Sequence, residues 1–150
     1  MNKKFRGSQV VLVNLILLTG CSGTMSNLGI NNSELTPCPK TPNCVSSQAH
    51  DEEHFIEPIH YTGSQQEAHN HLLQIIESEK RTKILEDQGN YIRVEFTSAL
   101  FRFIDDVEFY FPIEQAEETF IHVRSASRVG SSDLGVNRKR IERIRSKFQK

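Results

Sequence analysis

Tryptophan is absent from the 150-residue chain, cysteine occurs only three times, and charge of neither sign prevails, with 18 Lys and Arg against 19 Asp and Glu. No apolar run approaches the ~20 residues that a membrane-spanning helix requires, which excludes a polytopic membrane protein. Glycine (8) and proline (5) are sparse, while 37% of residues are hydrophobic and 25% charged, which excludes collagen-like and wholly disordered chains. The length is that of one domain, so a multidomain enzyme is excluded as well.

The N-terminus carries an address. Lys3, Lys4 and Arg6 precede an apolar stretch from Val10 to Leu18 that Asn14 interrupts, the pattern of a signal peptide rather than of a membrane span. The stretch ends in Leu18-Thr19-Gly20-Cys21, which resembles the bacterial lipobox: small residues enter a peptidase cleft, and the Cys21 thiolate accepts a diacylglyceryl group. The expectation is a lipoprotein signal peptide over residues 1–20 and a mature protein that begins at an acylated, palmitate-bearing Cys21. Loss of Lys3, Lys4 and Arg6 takes the formal charge from −1 to −4. Ser22 stands where an inner-membrane retention signal would have Asp, so the expected location is the outer membrane, facing the periplasm. The polar, aperiodic residues 21–36 read as a flexible tether with a reach of roughly 20 Å, and residues 37–150 as a single globular domain. Membrane contact through the anchor is expected, nucleic acid is not, and no cofactor is implied.

Cys38 and Cys44 close a short loop containing Pro39 and Pro42. An oxidising compartment favours a disulfide between them. Zinc would need two further ligands, and neither a second Cys pair nor a suitably placed His pair occurs; a CxxC redox spacing is also missing. His50 and His54 flank three acids, but the residue after His50 is Asp51, where a zincin helix has Glu. No metal site is expected.

Periodicity predicts an α+β domain. Residues 55–61 read as an extended segment limited to an edge by Pro58. Ser64 caps a helix over 65–80, in which Ala68, Leu72, Leu73, Ile75 and Ile76 recur at helical spacing. A short strand over 82–86, a turn at 87–90 and alternating strands follow, with Ile92, Val94 and Phe96, then Val107, Phe109 and Phe111, then Ile121 and Val123 inward. Ser132 or Asp133 caps a last helix whose stripe is Leu134, Ile141, Ile144 and Phe148. The order β-α-β-β-β-β-α predicts an antiparallel sheet of four to five strands, with a helix from the N-terminal half and a C-terminal amphipathic helix packed on it.

If the hairpin turns through residues 112–119, residues whose numbers sum to about 232 face each other, which sets Glu108 against Arg124 and Asp106 against Ala126. The densest polar cluster in the chain then comprises Asp105, Asp106, Glu108, Arg124, Ser125, Ser127, Arg128, Asp133, Asn137 and Arg138. It admits two readings. Arginine forks beside a helix N-terminus form an anion site around Arg124–Arg138; alternatively the acids neutralise the arginines and pin the last helix to the sheet. His122 lies on the opposite strand face from Ser125 and Ser127, which argues against a hydrolase triad.

The blocks CPKTPNCVSS (38–47), FRFIDDVEFYF (101–111) and IHVRSASRVGSSDLGVNRKRIERIR (121–145) resemble the DUF1499 family of lipoprotein-associated domains of unknown function. The resemblance spans roughly residues 37–148. Its motif positions fall on Cys38, Pro39, Pro42, Asn43, Cys44, Asp105, Asp106, Glu108, Arg124, Ser125, Ser127, Arg128, Gly130, Asp133, Gly135, Asn137 and Arg138. It implies a fold and no activity.

Residues 134–150 hold seven basic side chains against Glu142, a net +6. Three functions of different class remain: a non-catalytic envelope lipoprotein that binds a small anionic ligand or an envelope protein partner; a periplasmic hydrolase using Asp105, Asp106 or Glu108 as acid/base groups; and a membrane- or polymer-contacting protein that works through its basic helix. The first is preferred.

Overall fold

A computed structural model describes residues 28–112 and 119–150. The expected signal peptide, Cys21 and most of the 112–119 turn lie outside the described residues.

The elements are β1 (Ile30–Asn31), β2 (Glu34–Leu35), β3 (Cys44–Ser46), β4 (Ile59–Tyr61), α1 (Gln65–Ser78), β5 (Thr82–Asp87), β6 (Tyr91–Thr97), β7 (Ile104–Tyr110), β8 (Thr119–Ser127) and α2 (Val136–Phe148). The architecture is α+β. Antiparallel strands run in the order β3-β8-β7-β6-β5, and β4 also pairs with β8. The sheet therefore has six strands rather than four or five. The added strand is β3, and it shares one edge of β8 with β4, the extended segment expected over 55–61: Cys44 to Ser46 face Ala126 to Arg124, and Ile59 to Tyr61 face Ile121 to Thr119. The three residues of β3 are too few for alternation to reveal.

Local sequence explains the longer elements. Ser64 and Glu67 form a capping box at the start of α1, each side chain satisfying a backbone N–H of the other's turn. Ala68, Leu72, Ile75 and Ile76 then face the sheet. Ile92, Val94 and Phe96 of β6 meet Val107 and Phe109 of β7 and Ile121 and Val123 of β8 beneath Ile141, Ile144 and Phe148 of α2, all in one core. Each such side chain stabilises by about 1.5–3 kcal/mol on full burial.

Two expectations are corrected. Leu134 does not belong to the α2 stripe: the helix begins at Val136, and Leu134 lies before it with φ +55° and 86% of its surface exposed. The folded unit also begins before residue 37, because β1 and β2 form a small hairpin and Leu35 is buried against Tyr91 and Tyr110. Leu35 on the two tyrosines, with hydrogen bonds from Gly29 to Glu108 and between Gln48 and both Ser33 and Leu35, fixes a segment whose composition reads as tether.

Candidate functional site

Strand alternation sends Asp105 and Asp106 to opposite faces of the sheet, so the single polar cluster expected from sequence is two clusters. On the face away from the helices, Glu108 and Arg124 are cross-strand partners, with Arg124 Nη1 donating to Glu108 Oε2 at 3.0 Å. Both are completely buried. The Tyr91 hydroxyl and the Gly29 N–H each donate to Glu108 Oε1 at 2.8 Å. Burial and the neighbouring Glu108 charge both push the Tyr91 phenol well above its ordinary value. Asp106 and Glu95 face each other across β6 and β7 and share Arg128: its Nε and Nη2 donate to Asp106 at 2.7 and 2.8 Å, and its Nη2 to Glu95 at 2.5 Å. The hydrogen bonds to Asp106 raise the guanidinium above its ordinary value; burial opposes this, and Glu95 reinforces it.

On the helix face, Asp105 pairs with Arg140, whose guanidinium also lies 4.8 Å from the centre of the Phe96 ring. The buried Asn137 side chain is the hub. Its oxygen accepts from Ser125 Oγ at 2.6 Å and from Arg140, and its amide donates to Asn43 O and Ser127 Oγ at 3.0 Å. That amide ties α2 to β8 and to the loop closed by the Cys38–Cys44 disulfide. Asp133 accepts the N–H groups of Gly135 and Asn137 at 2.9 and 2.7 Å, occupying the start of α2. Arg138 joins neither cluster: it donates to the carbonyls of Phe55 and Glu53.

These arrangements follow the internal-pairing reading for Asp105, Asp106, Glu108, Arg124 and Arg128, whereas Asp133 and Arg138 pair with backbone groups instead. Each of Asp105, Asp106 and Glu108, the acids of the hydrolase reading, meets an arginine. Arg124 Nε is buried without a partner, but the residue is 1% exposed and closed to solvent. In the basic helix, Arg143 and Lys147 converge on Glu79, and Arg145 meets Glu142. The sequence did not single out Tyr91, Glu95 or Arg140, and it marked Asn43 only as a motif position. The alternation of β6 places Tyr91 and Glu95 on the Glu108 face, but the partner of β6 was not registered from sequence. His122 meets Ser47 at 3.0 Å rather than either candidate serine. Asp51, Glu53 and His54 present ligand-type atoms within 4.8 Å of one another. Both His54 ring nitrogens are engaged there, with Asp51 Oδ1 at 2.7 Å and Thr41 O at 3.2 Å.

The surface with unspent binding capacity lies elsewhere, at the end of the sheet where β6 turns into β7. Residues 98–103 and 127–136 enclose a cavity of about 480 Å³ walled by Phe101, Phe103, Val129 and Val136, with Ser98, Ser127 and Asp105 among its polar groups. Leu100 (78% exposed), Phe101 (68%), Phe103 (51%), Leu134 (86%) and Val136 stand out around it, and the Phe101 and Phe103 rings stack at 5.5 Å. Arg102 and Leu134 hold left-handed backbones at φ +58° and +55°, which costs non-glycine residues of order 1–3 kcal/mol each. The helical spacing of Leu134 conceals this site in the sequence, because it points to the core a side chain that lies outside α2 and is exposed.

A family model described as "Protein of unknown function (DUF1499)" matches residues 34–148. The chain belongs to this family. No curated protein and no solved structure matches it. Both polar clusters and both loops of the apolar tip fall within the DUF1499 match, whereas β1 lies before it.

Proposed function

We propose that this DUF1499 protein is a lipid-anchored, non-catalytic binding module of the cell envelope, attached through an acylated Cys21 to the outer membrane, facing the periplasm. It presents the apolar tip at residues 98–103 and 129–136 as its binding surface. The observation that carries the reading is the contrast between the two kinds of surface. The acids and arginines of the polar clusters spend their hydrogen bonds on one another, whereas large apolar side chains are held out in solvent around one cavity. Contiguous exposed apolar surface on a small domain marks an interaction site. Five such side chains on two strained loops fit that use better than they fit acid/base chemistry.

The leader supports the anchor: a positive start, a short apolar stretch and Leu18-Thr19-Gly20-Cys21 follow one another in the order that acylation requires. The test is metabolic labelling with palmitate of the full chain and of Cys21→Ala in a bacterial host. Label on the parent and none on Cys21→Ala is the expected result; equal label on both refutes the anchor.

A further inference from the structure

We propose that the apolar tip docks into the surface of the phospholipid bilayer that holds the chain's own anchor, so that the domain lies on the membrane by two contacts rather than swinging from one. This rests on the lipid-anchored reading above and deepens it by naming what the tip binds.

Three observations point to a bilayer. The exposed residues are of the right kind: Leu100, Phe101, Phe103 and Leu134 stand out from two loops that meet at one cavity, an apolar end that seats among headgroups and upper acyl chains. Unpaired basic side chains surround them, while the carboxylates of the same cavities are engaged, Asp105 by Arg140, Asp133 by the N–H groups of Gly135 and Asn137, and Glu79 by Arg143 and Lys147. Arg102 lies between the two phenylalanines, and a second concavity sharing Ser98 and Val136 with the tip cavity is bordered by Lys80 and Arg81. Among the described residues no carboxylate pairs with Lys80, Arg81 or Arg102, so their charge is available to anionic headgroups.

The third observation is reach. Gly29 is fixed to Glu108 on the sheet, and only seven residues separate it from Cys21, so the eight steps between them span at most about 28 Å of extended chain. From Glu108 to Phe103, the residue just before β7, is five residues, about 17 Å. A leash of that length lets the tip touch the surface in which the anchor sits, at a high effective concentration.

Because the chain has no tryptophan, single reporters are unambiguous. The full-length lipidated protein carrying Phe101→Trp, Leu134→Trp or Gln88→Trp is reconstituted into vesicles of phosphatidylethanolamine and phosphatidylglycerol, with or without bromine on the upper acyl chain. Gln88 is exposed in the turn before β6, at the far end of that strand. Expected is blue-shifted emission that bromine quenches for the Phe101 and Leu134 reporters, with Gln88→Trp unaffected. Unquenched tip reporters on protein that floats with the vesicles overturn docking, assign the tip to a protein partner and leave the anchor standing. Equal quenching of all three also overturns it, because the contact then has no orientation. Protein that fails to float overturns the anchor itself, and the docked state with it.

Discussion

Glu108 and Arg124 sit directly opposite each other on β7 and β8, both wholly buried, and join through one charge-assisted hydrogen bond of 3.0 Å. Removing one member leaves the other charged and unpaired in the interior. Arg124→Ala is therefore expected to cost about 3–5 kcal/mol, while Arg124→Met combined with Glu108→Leu costs less than the single change. Urea unfolding measures both; a loss below about 1 kcal/mol for Arg124→Ala contradicts a structural role for the pair.

Asn137 links three parts of the fold through one amide. Asn137→Ala removes the acceptor of the Ser125 hydroxyl and one donor each from Ser127 Oγ and the Asn43 carbonyl, although Ser125 Oγ still accepts from Arg140 and the Asn43 carbonyl from the Ser127 N–H. The expected outcome is a destabilisation of about 1–3 kcal/mol in chemical denaturation, the cost of a buried polar group left short of a partner. Asn137→Asp should not rescue it, because a carboxylate cannot donate to the Asn43 carbonyl.

Cys38 and Cys44 are bonded six residues apart. Closing so short a loop removes little entropy from the unfolded chain, so Cys38→Ser with Cys44→Ser is expected to lose about 2 kcal/mol and to remain folded. Thiol titration of the parent should find neither cysteine reactive until it is reduced.

The His54–Asp51 pair gives stability a pH dependence of definite sign. Burial works to lower the His54 value, but hydrogen bonds to Asp51 and the Thr41 carbonyl, with the charges of Asp51 and Glu53, raise it above 6.5. Asp51 is lowered from 3.8, chiefly by its side-chain bond to His54. A raised histidine stabilises fully below 6.5 and loses that contribution as pH climbs through its folded value; a lowered aspartate loses its own as pH falls below 3.8. Melting temperature should therefore decline as pH climbs above 6.5, and this decline should shrink in His54→Gln. An identical slope in the variant excludes the pair as its source.

Much of the fold was legible because its strands and helices are periodic. The register sum of 232 predicted for β7 and β8 places Glu108 on Arg124 and Asp106 on Ala126, as observed. What escaped was short or depended on partners distant in sequence. β3 has only three residues, and the β1–β2 hairpin is held in part by Leu35 on two tyrosines from other strands. The ten-residue polar cluster was recognised as polar but not as two-sided, although adjacent aspartates on one strand must point apart. The apolar tip was hidden by Leu134: its spacing suits a helix, yet Gly135 at φ +76° puts the helix start after it.

The account depends most on where the mature chain begins and what its first residue carries. Mass spectrometry of the protein extracted from bacterial envelopes addresses this in one spectrum. The predicted result is an N-terminal peptide starting at a diacylglyceryl-modified Cys21, with residues 1–20 absent. A mature protein that retains Met1, or that begins at Cys21 with no lipid mass, contradicts the account.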